Sequence, residues 1–174
     1  MNTSFADSVN TNKNHIKTIV YPLFIFMCGS IIAGLIFLFL QKSNNYDFIV
    51  NGEPSFAIPS RVHIWISFCM IVLLGVCPFM LYYIRNSNPD KMGQKLNYSL
   101  FYCHLLFVLV WALCSFTLSS PILGVIGLTI AIAIGIFATY RFMSNTITAG
   151  VILFVWNVWL IFMFVLNLAY CLLI

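Results

Sequence analysis

The 174-residue chain is 62% hydrophobic and only 7% charged, whereas about a quarter of the residues in an average soluble domain are charged. This composition excludes an ordinary soluble domain and indicates a membrane protein. The formal net charge of +4 comes from basic residues on one side of the predicted membrane domain, so it gives no reason to expect a nucleic-acid partner.

The chain opens with a polar segment, residues 1–17, which is rich in Asn, Ser and Thr. Such a composition buries too little apolar surface to order itself, so it predicts a loose tail. The apolar stretch from Thr18 is longer than the ~7–15 residue core of a signal peptide, and no clear cleavage site follows it. We therefore interpret it as a retained first span.

Five apolar stretches are long enough to cross a hydrocarbon core of ~30 Å. They cover residues 18–40, 62–84, 97–118, 121–143 and 147–172. The sequence therefore predicts an all-α integral membrane protein, a five-transmembrane-helix bundle over residues 18–174. Spans and connections use nearly the whole chain, so no soluble catalytic domain fits, and we expect no enzyme activity.

Basic residues are distributed unequally between the two predicted sides of the membrane. Lys42 and Arg61 fall on one side. The side that holds the N-terminus carries six: Lys13, Lys17, Arg85, Lys91, Lys95 and Arg141. The positive-inside rule then predicts a multi-pass protein with a cytoplasmic N-terminus.

The connections between the spans differ in length and chemistry. The longest, residues 41–61, mixes aromatic residues with prolines, which favours a lid on the helix ends over a solvated linker. The shortest is little more than Ser119-Ser120-Pro121, so the third and fourth spans are predicted to be antiparallel neighbours. Pro78 removes a helix hydrogen bond and is predicted to kink the second span.

Small residues recur at intervals of four in span four, where they let another helix backbone approach closely. They are Gly127, Ala131, Gly135 and Thr139. Span one offers Ser30 and Gly34 in the same way. Contacts within the bundle and contacts between subunits both remain open, with the internal contact as the default.

The fifth span contains no charged residue but carries amide and indole groups. On a helix, one face collects residues at steps of three or four. These are Trp156, Trp159, Met163, Asn167 and Tyr170. An amide in hydrocarbon is costly unless something meets it, so this stripe is predicted to face a neighbour or a ligand.

Helix geometry predicts the depth of the polar and aromatic side chains. With ~1.5 Å of rise per residue, Trp111 lies about 20 Å across from the cytoplasmic side, and Asn167 lies close to the outer side. Span two starts outside, with His63 and Trp65 in its first turn. These residues are predicted to converge beneath the long connection, where an aromatic-lined cavity would form a small-molecule site.

Simpler interpretations compete with that pocket. An aromatic belt at the membrane interface accounts for Trp65 and Tyr170. Trp111, Trp156 and Trp159 are too deep for a belt, and for these three a pocket and plain helix packing both remain open.

His104 shares a helix face with Trp111, which makes it a candidate haem ligand or hydrogen-bond donor to a ligand. A histidine satisfied by a neighbouring helix is the more common case. No Asp or Glu lies in any span, which leaves a carboxylate proton relay unsupported. The six cysteines contain no CxxC pair, so no metal site is expected.

Three segments carry a recognisable pattern: Trp159 to Phe162 with Leu166-Asn167; His104-Leu105 through Trp111 to Phe116; and Pro54-Ser55-Phe56 with Pro59 and Gly75. They resemble the fifth helix, the third helix and the first loop with second helix of the TspO/MBR family, the translocator proteins or tryptophan-rich sensory proteins. The similarity covers about residues 53–170. Several family tryptophans and the third-helix asparagine are replaced, by Phe56, Arg61, Ser67, Val108 and Leu109. No Lys or Arg follows Asn167, so the family's sterol-recognition pattern is incomplete.

The resemblance implies a five-helix bundle, often a homodimer, with a pocket under the first loop for porphyrins, haem-related tetrapyrroles or other hydrophobic ligands. Carried over residue by residue, the ligand-binding positions are Trp111, Trp159, Phe162 and Asn167, with Phe56 and Pro59 in the lid and His104 at a family Gln position. No cofactor is required, and a tetrapyrrole is the expected ligand. The other expected partners are the lipid bilayer, here of a bacterial cell membrane, and a second copy of the chain.

Two hypotheses for function follow. The first is a non-enzymatic membrane receptor or carrier that stacks a planar hydrophobic ligand on aromatic side chains, as in TspO-like sensing or transport. The alternative is a small transporter of other solutes, or a structural partner subunit, without a tetrapyrrole site.

Overall fold

The computed structural model describes residues 3–42, 60–85 and 91–173, and the regular secondary structure in these ranges is helical. The elements are α1 (Thr3–Lys42), α2 (Ser60–Leu74), α3 (Val76–Arg85), α4 (Lys91–Ala112), a π-turn (Leu113–Thr117), α5 (Pro121–Asn145) and α6 (Ile147–Leu173). Segments long and apolar enough to span a membrane are Ile19–Gln41, Val62–Ile84, Lys95–Thr117, Pro121–Asn145 and Ile147–Leu172. They confirm the predicted five-helix bundle, because only a helix satisfies its own backbone groups within lipid.

The first helix extends well beyond the first span. It begins at Thr3, so the structure differs from the loose tail expected for residues 1–17. Asn, Ser and Thr are poor helix formers, but no Pro or Gly interrupts residues 3–18. Extending an existing helix requires much less free energy than nucleating a new one. Residues 3–18 can therefore form a helix as a continuation of the adjoining apolar span.

The second span is broken where the sequence predicts a kink. Pro78 has no N–H to donate to the carbonyl of Leu74, and the helix divides at Gly75 into α2 and α3. Span one approaches this break closely, since a Cβ on Gly75 would lie 2.7 Å from Oγ of Ser30 and 3.0 Å from the carbonyl oxygen of Phe26. Gly75 therefore marks the break between α2 and α3, and its lack of a side chain lets α1 pack closely there.

The connection between α4 and α5 is as tight as predicted. Ser119 adopts a positive φ of 49°, which ends the preceding helix. Oγ of Ser120 then accepts a hydrogen bond from the backbone N–H of Leu123 at 3.4 Å, and Pro121 occupies the first turn of α5. The third and fourth spans are antiparallel neighbours, in agreement with the prediction.

The spans close into a ring. α1 packs on α2 and α3, α3 and α2 pack on α6, α6 packs on α5, α5 on α4, and α4 returns to α1. The order around the bundle is therefore first, second, fifth, fourth, third span. We call the end that contains residues 41, 62, 117–121 and 172 the first-loop end.

The small-residue ridge of α5 lies inside the bundle. Gly127, Ala131, Gly135 and Thr139 are all buried. A Cβ on Gly127 would lie 3.2 Å from Cα of Trp111, so α4 and α5 approach backbone to backbone. In span one, Ser30 is buried and Gly34 faces Phe68 of α2. The ridges therefore serve contacts within the bundle.

Candidate functional site

A π-turn at the end of α4 shapes the first-loop end of the bundle. The backbone N–H of Leu118 donates to the carbonyl of Leu113 at 3.0 Å, an i→i+5 bond that admits one residue more than an α-helical turn. In this geometry Trp111 and Phe116, five residues apart, face the same way, with ring centroids 5.7 Å apart. The π-turn therefore gathers two aromatic rings at one point.

Aromatic side chains from the first, second and third spans meet at that point. Phe37 of α1 lies 6.0 Å from the ring of Trp111 and 6.2 Å from that of Phe116. The His63 ring of α2 stacks on Phe116 at 6.4 Å, and Nε2 of the Gln41 amide lies 3.4 Å from Nε2 of His63. We call these five residues, Phe37, Gln41, His63, Trp111 and Phe116, the first-loop cluster.

Two polar atoms of the first-loop cluster have no partner. Trp111 is 1% exposed, and its Nε1–H meets no acceptor. Gln41 is 3% exposed, and its Oε1 meets no donor. Buried polar groups are nearly always paired, so both atoms mark a place where the described residues leave a binding capacity unused.

Trp159 lies one helical turn deeper than the first-loop cluster. Its Nε1–H donates to Oγ of Ser67 at 2.9 Å, and Ser67 follows His63 by four residues on the same face of α2. The ring of Phe162 lies 5.5 Å from the Trp159 ring, tilted by 31°. The N–H of Trp159 is therefore satisfied. The side chain is only partly buried, so part of the ring remains accessible.

Asn167 closes the same end of the bundle from α6. Its Oδ1 accepts a hydrogen bond from Oγ of Ser115 at 3.3 Å, and its Nδ2 donates to the carbonyl of Met163 at 2.9 Å. A Cβ on Gly124 would collide with Ser115 and would lie 3.0 Å from the Asn167 oxygen. The amide in hydrocarbon thus finds its partners on the π-turn and its own helix.

His104 lies in a different environment. It belongs to α4 and is completely buried against α5 and α6. Its Nδ1 lies 2.8 Å from the carbonyl of Ala131, and its Nε2 lies 2.9 Å from Nε1 of Trp156. A carbonyl only accepts and an indole N–H only donates, so the ring is the neutral tautomer with its proton on Nδ1. Both ring nitrogens are occupied by the protein.

A second buried polar group lies next to His104. Nδ2 of Asn157 donates to Oγ1 of Thr139 and to the carbonyl of Leu153, each at 2.9 Å. Its Oδ1 has no conventional partner and is pressed against Gly135, where an added Cβ would collide with it. This contact fills the side of the oxygen that faces α5. We call His104, Thr139, Trp156 and Asn157 the polar core.

The structure brings most of the predicted site residues to the first-loop end of the bundle, but places His104 in the polar core. Trp111, Asn167 and His63 at the start of the second span meet around the π-turn, as the depth estimate predicts, whereas Trp65 is 60% exposed and lies outside this group. Trp159 and Phe162 lie beside them on α6. Phe56 and Pro59 lie outside the described residues.

His104 and Trp156 do not join this group. Both side chains are fully buried and bonded to each other, the arrangement expected of helix packing. Trp156 and Trp159 share one face of α6 yet contact different neighbours, α4 and α2 respectively. The stripe on α6 therefore faces several elements, and only part of it reaches the first-loop end.

Four residues of this end are absent from the predicted site: Phe37, Gln41, Ser67 and Phe116. The spacing of Phe37 and Gln41, one turn apart at the end of span one, is the signal that could have indicated a shared face. Ser67 gives no such signal, because a serine within a span usually bonds to its own helix.

The chemistry available at this end is stacking and neutral hydrogen bonding. The first-loop cluster, Trp159, Phe162 and Asn167 include no Asp, Glu, Lys or Arg. Among the described residues, no three His, Cys, Asp or Glu side chains gather into a group that could hold a metal ion. These side chains offer aromatic faces for stacking and neutral groups for hydrogen bonding.

Comparison with known proteins identifies the family. Searches among curated proteins and among solved structures return no significant match. The family model described as TspO/MBR matches residues 23–173, nearly the whole chain. That range includes every residue of the first-loop end described above, and the chain belongs to the TspO/MBR family.

Proposed function

We propose that the protein is a membrane receptor or carrier that binds a planar hydrophobic ligand, such as a porphyrin or a haem-related tetrapyrrole. The ligand lies at the first-loop end, between α2, the π-turn and α6. Membership of the TspO/MBR family supports a sensory or transport role in a membrane in general. The proposal of a planar ligand depends on one observation about Trp159: its N–H is hydrogen-bonded to the protein while its ring is only partly buried.

Trp159 is the side chain best suited to stack a flat ligand. Its N–H is held by Ser67, which fixes the orientation of the ring, and the ring is not fully covered. Phe162 supplies a second aromatic surface beside it. A pre-oriented indole face is favourable for stacking because little side-chain freedom is lost when the ligand arrives.

Position 67 supports the same proposal. The chain carries Ser67 where the resemblance places a family tryptophan. A serine is much smaller than an indole, and here it is buried and serves as the acceptor for Trp159. The exchange removes one stacking surface from α2 and leaves Trp159 of α6 as the principal one.

In this proposal the Asn167 amide contacts the ligand, whereas His104 does not touch it. The Asn167 amide is partly exposed beside Ser115, so it can meet a ligand's polar substituent. His104 has both nitrogens bonded within the polar core. We therefore assign it the positioning of α4 against α5 and α6. Phe56 and Pro59 lie outside the described residues, and their place in a lid stays a prediction.

The test is a titration of the purified protein with protoporphyrin, followed by the absorbance of the porphyrin itself, so that removing a tryptophan does not remove the reporter. Trp159→Ala is expected to weaken binding about tenfold, which corresponds to ~1.4 kcal/mol of lost stacking. Trp65→Ala is the matched control, because Trp65 is 60% exposed and packs edge-on against Phe68. Its affinity should match the unaltered protein.

Other results would overturn the proposal. Equal affinities for Trp159→Ala and the unaltered protein would remove the assigned surface. An unaltered protein that fails to bind protoporphyrin would favour the alternative, a transporter of other solutes or a partner subunit. For the subunit, purification in mild detergent should recover a stable complex with another protein.

We also propose that the N-terminus is cytoplasmic, which places the first-loop end on the outer side. The unequal distribution of Lys and Arg supports this orientation. A topology reporter fused to the N-terminus should report the cytoplasm. A homodimer, expected from the resemblance, would have to use a face other than the buried ridge of α5.

A further inference from the structure

Arg141 lies deeper within a membrane span than any other Lys or Arg of the chain. It is four residues from the end of the span Pro121–Asn145, whereas Lys95 is the first residue of its span and the other six basic residues fall outside the spans. At ~1.5 Å of rise per residue, its backbone lies about 6 Å inside that end of the helix. A guanidinium at such a depth either extends freely to the interface or has a partner.

The neighbouring span holds Arg141 in a fixed position. Nε of Arg141 donates to Oδ1 of Asn97 on α4 at 3.2 Å, and Asn97 is only 1% exposed. The carbonyl of Arg141 accepts hydrogen bonds from Oγ of Ser144 at 2.8 Å and from Nδ2 of Asn145 at 2.7 Å. A side chain that extended freely to the interface would have no such buried partner, so this arginine is oriented by the bundle.

Most of the hydrogen-bonding capacity of the Arg141 guanidinium is unused. An arginine has five N–H donors, and the bond to Asn97 uses the one on Nε. The four donors on Nη1 and Nη2 have no partner among the described residues. The side chain is only partly buried, so a molecule outside the bundle can reach it.

The positive charge of Arg141 has no counter-charge within the spans. The four acidic residues of the chain all fall outside them, at Asp7, Asp47, Glu53 and Asp90. Lys95, which is exposed, precedes Asn97 by two residues on α4, so a second positive charge lies near Arg141. The described part of this end therefore carries uncompensated positive charge, and the complementary partner is an anion.

Exposed apolar residues lie directly beside this charge. On α5, Phe137, one helical turn deeper in the span, and the adjacent Tyr140 are both exposed. On α4, Leu96 next to Asn97 is exposed as well. Such side chains in a span face the lipid, and tyrosine is common at the level of the headgroups. An anion that meets Arg141 therefore lies beside hydrocarbon, as a lipid headgroup does and a free ion in water does not.

We propose that Arg141 and Lys95 bind the phosphate of an anionic phospholipid, such as phosphatidylglycerol, at the end of the bundle opposite the first-loop end. Nη1 and Nη2 of Arg141 donate to two phosphate oxygens, the paired geometry in which a guanidinium matches a phosphate. Lys95 favours a lipid with a net negative charge over one whose headgroup also carries a cation. The acyl chains lie along Phe137 and the neighbouring exposed side chains. This site is independent of the ligand proposed at the first-loop end.

The experiment compares phosphatidylglycerol with phosphatidylcholine of the same acyl chains. The delipidated full-length protein in detergent is mixed with both lipids at equal concentration and isolated by size-exclusion chromatography, and mass spectrometry then quantifies the lipid that remains bound. The unaltered protein is expected to retain about tenfold more phosphatidylglycerol. Inorganic phosphate in excess should not displace this lipid, because the free ion makes no apolar contact.

Four variants test the two charged contacts. Arg141→Gln should abolish the preference for phosphatidylglycerol. Asn97→Asp keeps an acceptor for Nε but adds a carboxylate that neutralises Arg141, so the preference should also be lost. Lys95→Gln should reduce the preference without abolishing it. Lys42→Gln, which removes one positive charge at the first-loop end, is the control and should leave the preference unchanged. Thermal unfolding checks that each variant is folded.

Several results would overturn the inference. Equal retention of the two lipids by the unaltered protein would do so, as would a preference that survives Arg141→Gln. Displacement by inorganic phosphate would show a site for a free anion in place of a lipid. Asp90 lies outside the described residues. If it pairs with Arg141, the unaltered protein will show no preference and Asp90→Asn will create one, which also contradicts the inference. Protoporphyrin binding by Arg141→Gln should equal that of the unaltered protein, so the two proposals fail separately.

Discussion

Two buried polar regions of this protein differ in how completely they are satisfied. In the polar core, His104 has a partner on each ring nitrogen, and the Asn157 amide nitrogen bonds to two acceptors. In the first-loop cluster, Trp111 is just as buried but its N–H has no acceptor. Burial alone therefore does not decide whether a polar group finds a partner within the bundle.

The packing around each region explains this difference. In the polar core, Gly135 lets α5 approach so closely that a Cβ at this position would collide with Asn157. The first-loop cluster is built of rings from α1, α2, α4 and the π-turn, and the centroids of the contacting rings are 5.7 to 6.4 Å apart. The hydrogen bonds of the polar core join α4, α5 and α6, whereas the first-loop cluster is held mainly by ring contacts.

The largest effect is expected from Trp156→Ala in the polar core. The change removes a fully buried indole and leaves Nε2 of His104 without its donor. Loss of such a side chain costs about 3–5 kcal/mol. We expect little folded protein, measured by size-exclusion chromatography after stepwise heating in detergent. Trp65→Ala removes an exposed indole and is the control. Similar thermal stability of the two variants would show that the polar core does not hold the helices.

The next effect is expected from Gly135→Ala. An added Cβ would collide with Oδ1 of Asn157 and lie 2.6 Å from Cε1 of His104. Overpacking of this kind costs about 1–3 kcal/mol. Gly29→Ala is the matched control, since nothing lies within 4 Å of the Cβ it would add. An equal melting temperature for the two variants would mean that α5 and α6 do not approach as closely as described.

His104 variants test whether this residue belongs to the structure or to the ligand. His104→Leu leaves the Trp156 N–H and the Ala131 carbonyl without their partner, and is expected to cost about 1–2 kcal/mol. His104→Gln retains one donor and one acceptor and should recover most of that loss in a thermal unfolding assay. Folded His104→Gln protein should bind protoporphyrin normally. If it is stable but does not bind, His104 contacts the ligand.

The smallest effect is expected from Ser67→Ala near the first-loop cluster. It frees the Trp159 N–H and loosens the ring without removing it. An interhelical hydrogen bond in a membrane contributes about 0.6 kcal/mol, which corresponds to roughly a threefold loss of protoporphyrin affinity. Ser144→Ala, an exposed serine at the opposite end, is the control. A tenfold loss would instead indicate that Ser67 itself touches the ligand.

The spans could be predicted from the sequence because the bilayer imposes one requirement on every helix, an apolar length of about 20 residues. The break at Gly75 and the turn at Ser119 to Pro121 could be predicted because proline acts locally. The helical start of α1 could not, since propensity favours a coil there and an adjoining helix overrides it.

The site could be predicted only in part. The depth of Trp111 and Asn167 follows from helix rise, so their convergence was accessible. Which neighbour each side chain meets depends on the order of helices around the ring, which no periodicity encodes. For that reason the partners of His104, Trp156 and Trp159 emerge only from the structure.

The π-turn has a consequence for variation in chain length. Trp111 and Phe116 are five positions apart in the sequence, whereas in an α-helix a separation of four brings two side chains to one face. Loss of one residue within 113–115 would therefore restore an ordinary α-helical turn and still leave both rings together. We therefore expect this stretch to tolerate a single-residue deletion that would rotate the side chains of a regular span.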